Sequence, residues 1–267
     1  MHLRSFIGQR VRALTIDAVS PIENHMISNR FNFSSPEDSV RSGDVPLVPL
    51  WSKRLKPRKV NIWERYSPKA KRNVRLYGNL KYYLWILLES DPTFTSLCEQ
   101  PLRIRAKLAD GRWAASIFDF WCRDAEGTDY FFQIEYVQKI ICAQPESRLA
   151  RNLSAQLVWA QQNNVRYAVA TDRTVWAHPV LLTNWSTILS FLAQFRDACL
   201  HELGKRIVRA VGENEQMALG TIVQEFSPVS PEEVRAALFV ELHAGRLSGD
   251  LNSTRLGAKT IFRIPHA

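Results

Sequence analysis

The stretch Arg112-Trp-Ala-Ala-Ser-Ile-Phe-Asp119-Phe, followed by Tyr130-Phe-Phe-Gln133-Ile-Glu135-Tyr-Val137, constrains the fold of this chain more than any other part. Each run is short, rich in β-branched and aromatic residues, and separated from the other by the polar, Gly-containing Arg123–Thr128 segment. That pattern predicts two strands, 112–120 and 129–137, joined as a long hairpin. Side chains two apart on a strand share a face, so Gln133, Glu135 and Val137 should point the same way. Their neighbours Ile117, Phe132 and Ile134 are apolar, so the acids Asp119 and Glu135 interrupt strands that are otherwise built for burial. A buried carboxylate is costly unless paired or bound to a cation.

Two carboxylates on adjacent strands suit divalent-metal phosphodiester chemistry, in which the ion polarises phosphate and activates water. Restriction-type nucleases use an acid at the end of one strand, a second on the next, and a lysine two residues later. Asp119 and Glu135 are therefore candidate metal ligands, for Mg2+ or Mn2+ if the site is active and for no metal if it is not. Val137 stands where the lysine belongs. The plain alternative is a pair of ordinary edge-strand acids.

Charge points to a polyanionic partner. The formal net charge is +9, and residues 51–75 alone carry 10 Lys/Arg against the single acid Glu64. Lys53, Arg54, Lys56, Arg58, Lys59, Lys69, Lys71, Arg72 and Arg75, interleaved with Trp51, Trp63 and Tyr66, form a candidate phosphate-binding arm, the alternative being a solvated linker. No apolar run approaches the ~18 residues of a membrane span, and the first residues lack the apolar segment of a signal peptide, so the expectation is a cytoplasmic protein with no membrane partner, and the charge adds nucleoid association to that expectation. Cys98, Cys122, Cys142 and Cys199 lack metal-site spacing and fit a reduced compartment. No phosphate-binding glycine loop or paired-histidine motif is present.

Residues 1–56 read as an irregular arm, with a strand or two conceivable at Phe6–Ile16. Leu80, Tyr83, Leu84, Leu87 and Leu88 lie on one face of a helix over 77–89, ended by Asp91-Pro92. Leu102–Leu108 alternates apolar and basic residues, a half-buried strand with Arg103 and Arg105 outward, either touching DNA or keeping an edge soluble. A helix over 146–162, a strand over 165–171 and a helix over 184–201 follow, which makes an α/β sandwich over 57–183. Asp172, at the end of the strand, reads as a structural cap. Residues 184–267 hold three further helical patterns (204–211, 219–226, 231–243) and a hairpin of 245–251 with 258–264. Ser230-Pro-Glu-Glu starts the last helix with a cap, a first-turn proline and two acids. This order predicts a winged helix-turn-helix.

The run Gly78-Asn79-Leu80-Lys81-Tyr-Tyr-Leu-Trp-Ile-Leu-Leu-Glu-Ser-Asp91-Pro92, leading to Glu99-Gln100-Pro101, resembles the front of the TnsA family, the endonuclease subunits of heteromeric cut-and-paste transposons. The likeness covers roughly residues 57–267. It implies a restriction-endonuclease-like mixed sheet sandwiched by helices, followed by a winged helix-turn-helix. It also implies duplex DNA at transposon ends, a TnsB-type transposase and a TnsC-type AAA+ ATPase as partners. The family's catalytic helix Glu, strand Asp and Gln/Glu-x-Lys map onto Asn79, Asp119, Glu135 and Val137. A second register puts Gln133 at the Gln/Glu position and Glu135 at the Lys. Either register lacks the lysine, for which Lys139 or Lys81 would have to substitute.

Three functions follow from these residues. The first is a TnsA-like subunit with a degenerate nuclease site, working through DNA binding and partner docking. The second is an active Mg2+-dependent endonuclease with a relocated lysine. The third is a winged-helix DNA-binding regulator. The acids Glu232, Glu233 and Glu241 against Arg235 and Arg246 make the last helix a poor groove reader, which favours protein docking for the C-terminal part.

Overall fold

The computed structural model describes residues 48–50 and 60–265. Most of the expected arm, its possible strand at Phe6–Ile16, and Lys53, Arg54, Lys56, Arg58 and Lys59 lie outside the described residues. Those residues form a mixed α/β structure with eight helices and four small sheets. None of the helices is long and apolar enough to cross a membrane. The described residues divide into two compact units: one holds those up to Glu64, Val74–Leu88 and Thr93–Ala177, and the other Arg65–Asn73, Glu89–Pro92 and those from His178 on. The division after Ala177, rather than after 183, follows from Pro179. It occupies the first turn of a helix that the sequence pattern started only at Asn184.

The basic segment contains a hairpin that its charge concealed, β1 (Ile62–Ser67) and β2 (Arg72–Tyr77). Helix α1 (Asn79–Ser90) follows, buried on nearly every side from Leu84 to Ser90 rather than along one stripe. Next comes β3 (Phe94–Glu99), a strand that the Asp-Pro and Glu-Gln-Pro punctuation hid.

The expected strand 112–120 is two strands. β5 (Trp113–Ile117) pairs with β4 (Arg103–Lys107) in a ribbon of its own, whereas β6 (Phe120–Asp124) belongs to the central sheet. The central order is β3-β6-β7-β8, with β7 (Asp129–Glu135) antiparallel to β6 and parallel to β8 (Arg166–Thr171). A parallel pair needs a crossover. Here it is made by α2 (Val137–Ile141) and α3 (Arg148–Gln162), the latter capped by Ser147 Oγ accepting from the Ala150 N–H. β7 reads Tyr-Phe-Phe-Gln-Ile because a strand paired on both edges is covered on both faces. Phe118, Phe131, Trp121, Tyr167 and Val169 pack with Leu153, Leu157 and Ala160 of α3 into one core. Thr171, not Asp172, caps α4 (Asp172–Trp176). The Asp172 carboxylate instead accepts the first N–H of α2, from Val137, at 2.7 Å.

In the second unit, α5 (Pro179–Gln194) precedes α6 (His201–Glu213), α7 (Leu219–Glu225) and α8 (Pro231–His243). β9 (Gln216–Ala218), β10 (Ser248–Gly249) and β11 (Ile261–Arg263) form an antiparallel sheet in the order β10-β11-β9. Helix α8 begins as its sequence dictates, Ser230 Oγ accepting from the Glu233 N–H at 3.2 Å. Gly204 lets α6 approach α8. A Cβ there would sit 2.9 Å from Cδ of Glu241, a buried carboxylate held by Arg246. Alanine in place of Gly204 would gain about 1 kcal/mol of helix propensity. It would lose about 1–3 kcal/mol to overpacking and strain a buried ion pair. Gly204→Ala should therefore lower the urea midpoint, and a raised midpoint would show slack between α6 and α8.

Candidate functional site

A cleft of ≈ 440 Å³ in the first unit is where the singled-out acids meet. Its lining includes Lys81, Gln100, Arg103, Asp119, Gln133, Glu135, Arg148 and Asn152. Asp119 occupies the step between β5 and β6. Its backbone N–H donates to Phe132 O and its carbonyl accepts from the Gln100 N–H, both at 2.9 Å. Gln100 itself has φ 46, in the left-handed region that non-glycine residues seldom adopt. The Glu-Gln-Pro run thus fixes the backbone of the acid from across the cleft.

The Asp119 carboxylate is 5% exposed and fully engaged. Lys81 Nζ donates to Oδ1 in an ion pair. Oδ2 accepts from Gln133 Nε2 at 2.6 Å and from the Ile134 N–H at 2.9 Å. Behind Gln133 lies a chain of polar groups whose direction can be worked out. The Ile117 carbonyl can only accept, so the amide nitrogen of the fully buried Gln156 faces it, at 3.2 Å. The two hydrogens of that nitrogen are shared among this carbonyl, Ser116 Oγ at 3.1 Å and Gln133 Oε1 at 2.7 Å, while Gln156 Oε1 accepts from the Tyr167 hydroxyl at 2.8 Å. Gln133 must therefore turn its nitrogen toward Asp119. Burial, with the Asp119 charge adding to it, pushes the Tyr167 phenol well above its ordinary range and keeps it a proton donor in this chain.

Glu135 ends β7 at the cleft rim. Its Oε1 accepts from Lys139 Nζ at 2.9 Å and from the Tyr136 N–H at 3.0 Å. Lys139 reaches it from α2, four residues on. β7 stops at Glu135, so Val137 starts a helix, is buried, and lies outside the lining. Asn79 also lies outside the lining. Its Oδ1 accepts from Asn61 Nδ2 at 2.9 Å and from Trp63 Nε1 at 3.1 Å. The helix residue that enters the cleft is Lys81, two positions on. Gln100, Arg148 and Asn152 were not among the candidate site residues, whereas the sequence offered Arg103 as an outward strand residue that either touches DNA or keeps an edge soluble. Arg148 and Asn152, one turn apart in the first turns of α3, carried the only local signal.

Of the described basic residues, Lys69 is buried and donates to the Asp91 carbonyl, which takes it away from any phosphate. Arg75 Nε donates to Glu64 at 2.7 Å, and that carboxylate raises the guanidinium above its ordinary value. Arg72 donates to the Asn73 carbonyl at 3.2 Å, and Lys71 is exposed at the hairpin turn.

The donor set does not fit a divalent ion in this arrangement. Asp119 and Glu135 each already hold a lysine, and Gln133 turns an N–H, not its carbonyl, toward Asp119. The cleft can instead receive an anion: Arg103 and Arg148 are exposed on its rim, with Lys81 inside. Compared with known families and curated proteins, the chain matches no family model and no curated sequence.

Proposed function

We propose that this chain is a TnsA-like subunit of a DNA transposition machinery, with a restriction-endonuclease-like core and a C-terminal winged helix. Its cleft holds DNA phosphate without cutting it. The observation that carries this reading is the saturated Asp119 carboxylate, held by Lys81 and by a Gln133 locked as a donor. Residues that would ligate a catalytic ion have become a neutralised pair beside two exposed arginines. Phosphate binding needs only that cationic rim.

The second unit is assigned to partner docking, to a TnsB-type transposase and a TnsC-type AAA+ regulator. In a winged helix the last helix of the trio reads the groove. In this chain α8 is buried through Val234, Ala236, Ala237, Leu238, Phe239 and Leu242, with Phe191 of α5 packed on Phe239 at 5.4 Å between ring centroids. Its exposed first turn carries Glu232 and Glu233, which repel DNA. That weighs against a winged-helix regulator.

Binding of a labelled duplex should survive chelation of divalent ions and weaken about tenfold in Arg148→Ala, an exposed position, as expected for one lost charge-assisted phosphate contact. Asp119→Ala should bind at least as tightly as the parent. Mg2+- or Mn2+-dependent nicking that disappears in Asp119→Ala would replace this reading with an active endonuclease using Lys81 as its relocated lysine.

A further inference from the structure

We infer that the β4–β5 ribbon is a duplex-DNA contact surface that leads the phosphate backbone into the cleft. The inference rests on the nucleic-acid reading of the cleft above. On β4 the outward positions are Arg103, Arg105 and Lys107, all exposed, while Ile104 and Ala106 are buried against α3. Their cross-strand partners on the same face are Ile117, Ala115 and Trp113. That face holds three cations and no carboxylate. Alternate residues on a strand lie about 6.7 Å apart, so the three cations form a row about 13 Å long.

Trp113 distinguishes this face from a merely solubilised edge. Charges that protect an edge strand do not need an indole beside them, yet Trp113 is 60% exposed. The Arg105 guanidinium lies 5.2 Å from its ring centroid, which holds the cation over the surface. The ribbon is also continuous with the cleft, because Arg103, Ala115 and Ile117 belong to both. A two-stranded ribbon is narrow enough to follow a major groove about 12 Å wide. A bound backbone would pass from Lys107 and Arg105 to Arg103 and then to Lys81 and Arg148.

The test uses the full chain and a fluorescein-labelled duplex, with anisotropy read across about 50–200 mM KCl. The double variant Arg105→Ala/Lys107→Ala leaves the cleft lining intact. It should weaken binding at least tenfold and make the slope of log K against log salt shallower by about 2, near 0.9 per phosphate contact. Trp113→Ala should weaken binding with the slope unchanged, since it removes no charge. Parental affinity and slope in the double variant, with Arg148→Ala still weakened, would overturn the ribbon proposal alone. No duplex binding by the parent would overturn it together with the reading on which it rests.

Discussion

Replacing Phe118 with alanine should cost about 3–5 kcal/mol of stability and blur the cleft at the same time. Phe118 has no solvent exposure, and its ring meets Phe131 at 4.7 Å, Trp159 at 5.5 Å and Tyr167 at 5.7 Å between centroids. It ties the central sheet to α3. Three aromatic rings cannot collapse into the space it leaves without changing rotamers, so most of the cavity cost should remain. Phe118 also directly precedes Asp119, so its anchoring sets where the acid sits between β5 and β6. Urea unfolding should show a lower midpoint with an unchanged slope, which signals lost stability and not a different unfolded state. Duplex affinity measured below the transition should fall as well. A cost under about 1 kcal/mol would mean that the core around Phe118 repacks freely.

Removing Glu89 should do comparable damage to the second unit and change its response to acid. Glu89 has no exposure, yet its carboxyl is held below the usual carboxylate range. Burial alone, the largest single influence, would push it up. The hydrogen bond and charge of His243, the charge of Lys69 and the Ser67 hydroxyl together outweigh it. His243 Nε2 lies 3.2 Å from Glu89 Oε2, and Ser67 Oγ donates to Oε1. Its folded pKa is depressed, so its contribution is fully present above the unfolded Glu value near 4.3. It is lost as pH falls from there through the lower folded value. Glu89→Gln keeps the shape but removes the buried negative charge that faces Lys69, and leaving a buried charge uncompensated in this way costs about 3–5 kcal/mol. Thermal unfolding at neutral pH should show that loss. The variant should also lack the part of the acid destabilisation that the parent shows below about pH 4.3. Equal stability at neutral pH, or an unchanged acid profile, would refute the role assigned to this cluster.

Local pattern was enough wherever an element's own residues set its limits. The i, i+3, i+4 leucines and Asp91-Pro92 placed α1, Ser230 marked the start of α8, and the Arg/Ile/Arg/Ala/Lys alternation gave β4 its faces. Each of these signals acts within one or two turns or pleats, so it survives without knowledge of the neighbours. The pair Asp119 and Glu135 was also legible, because polar groups inside apolar strands demand a partner.

What the partner is, and which residues provide it, was decided only by tertiary structure. Lys81 lies 38 residues from Asp119, Gln156 lies 23 from Gln133, and His243 lies 154 from Glu89. No periodicity reports contacts at such separations. The same reason explains the division of 112–120 between two sheets. Its residues have one continuous strand preference, but hydrogen bonds to β4 on one side of Phe118-Asp119 and to β3 and β7 on the other give them different partners. It also explains why Asn79, chosen by its place in a motif, gave way to Lys81. Two residues along a helix is about 200° of rotation, and only the packing of α1 determines which side faces the cleft.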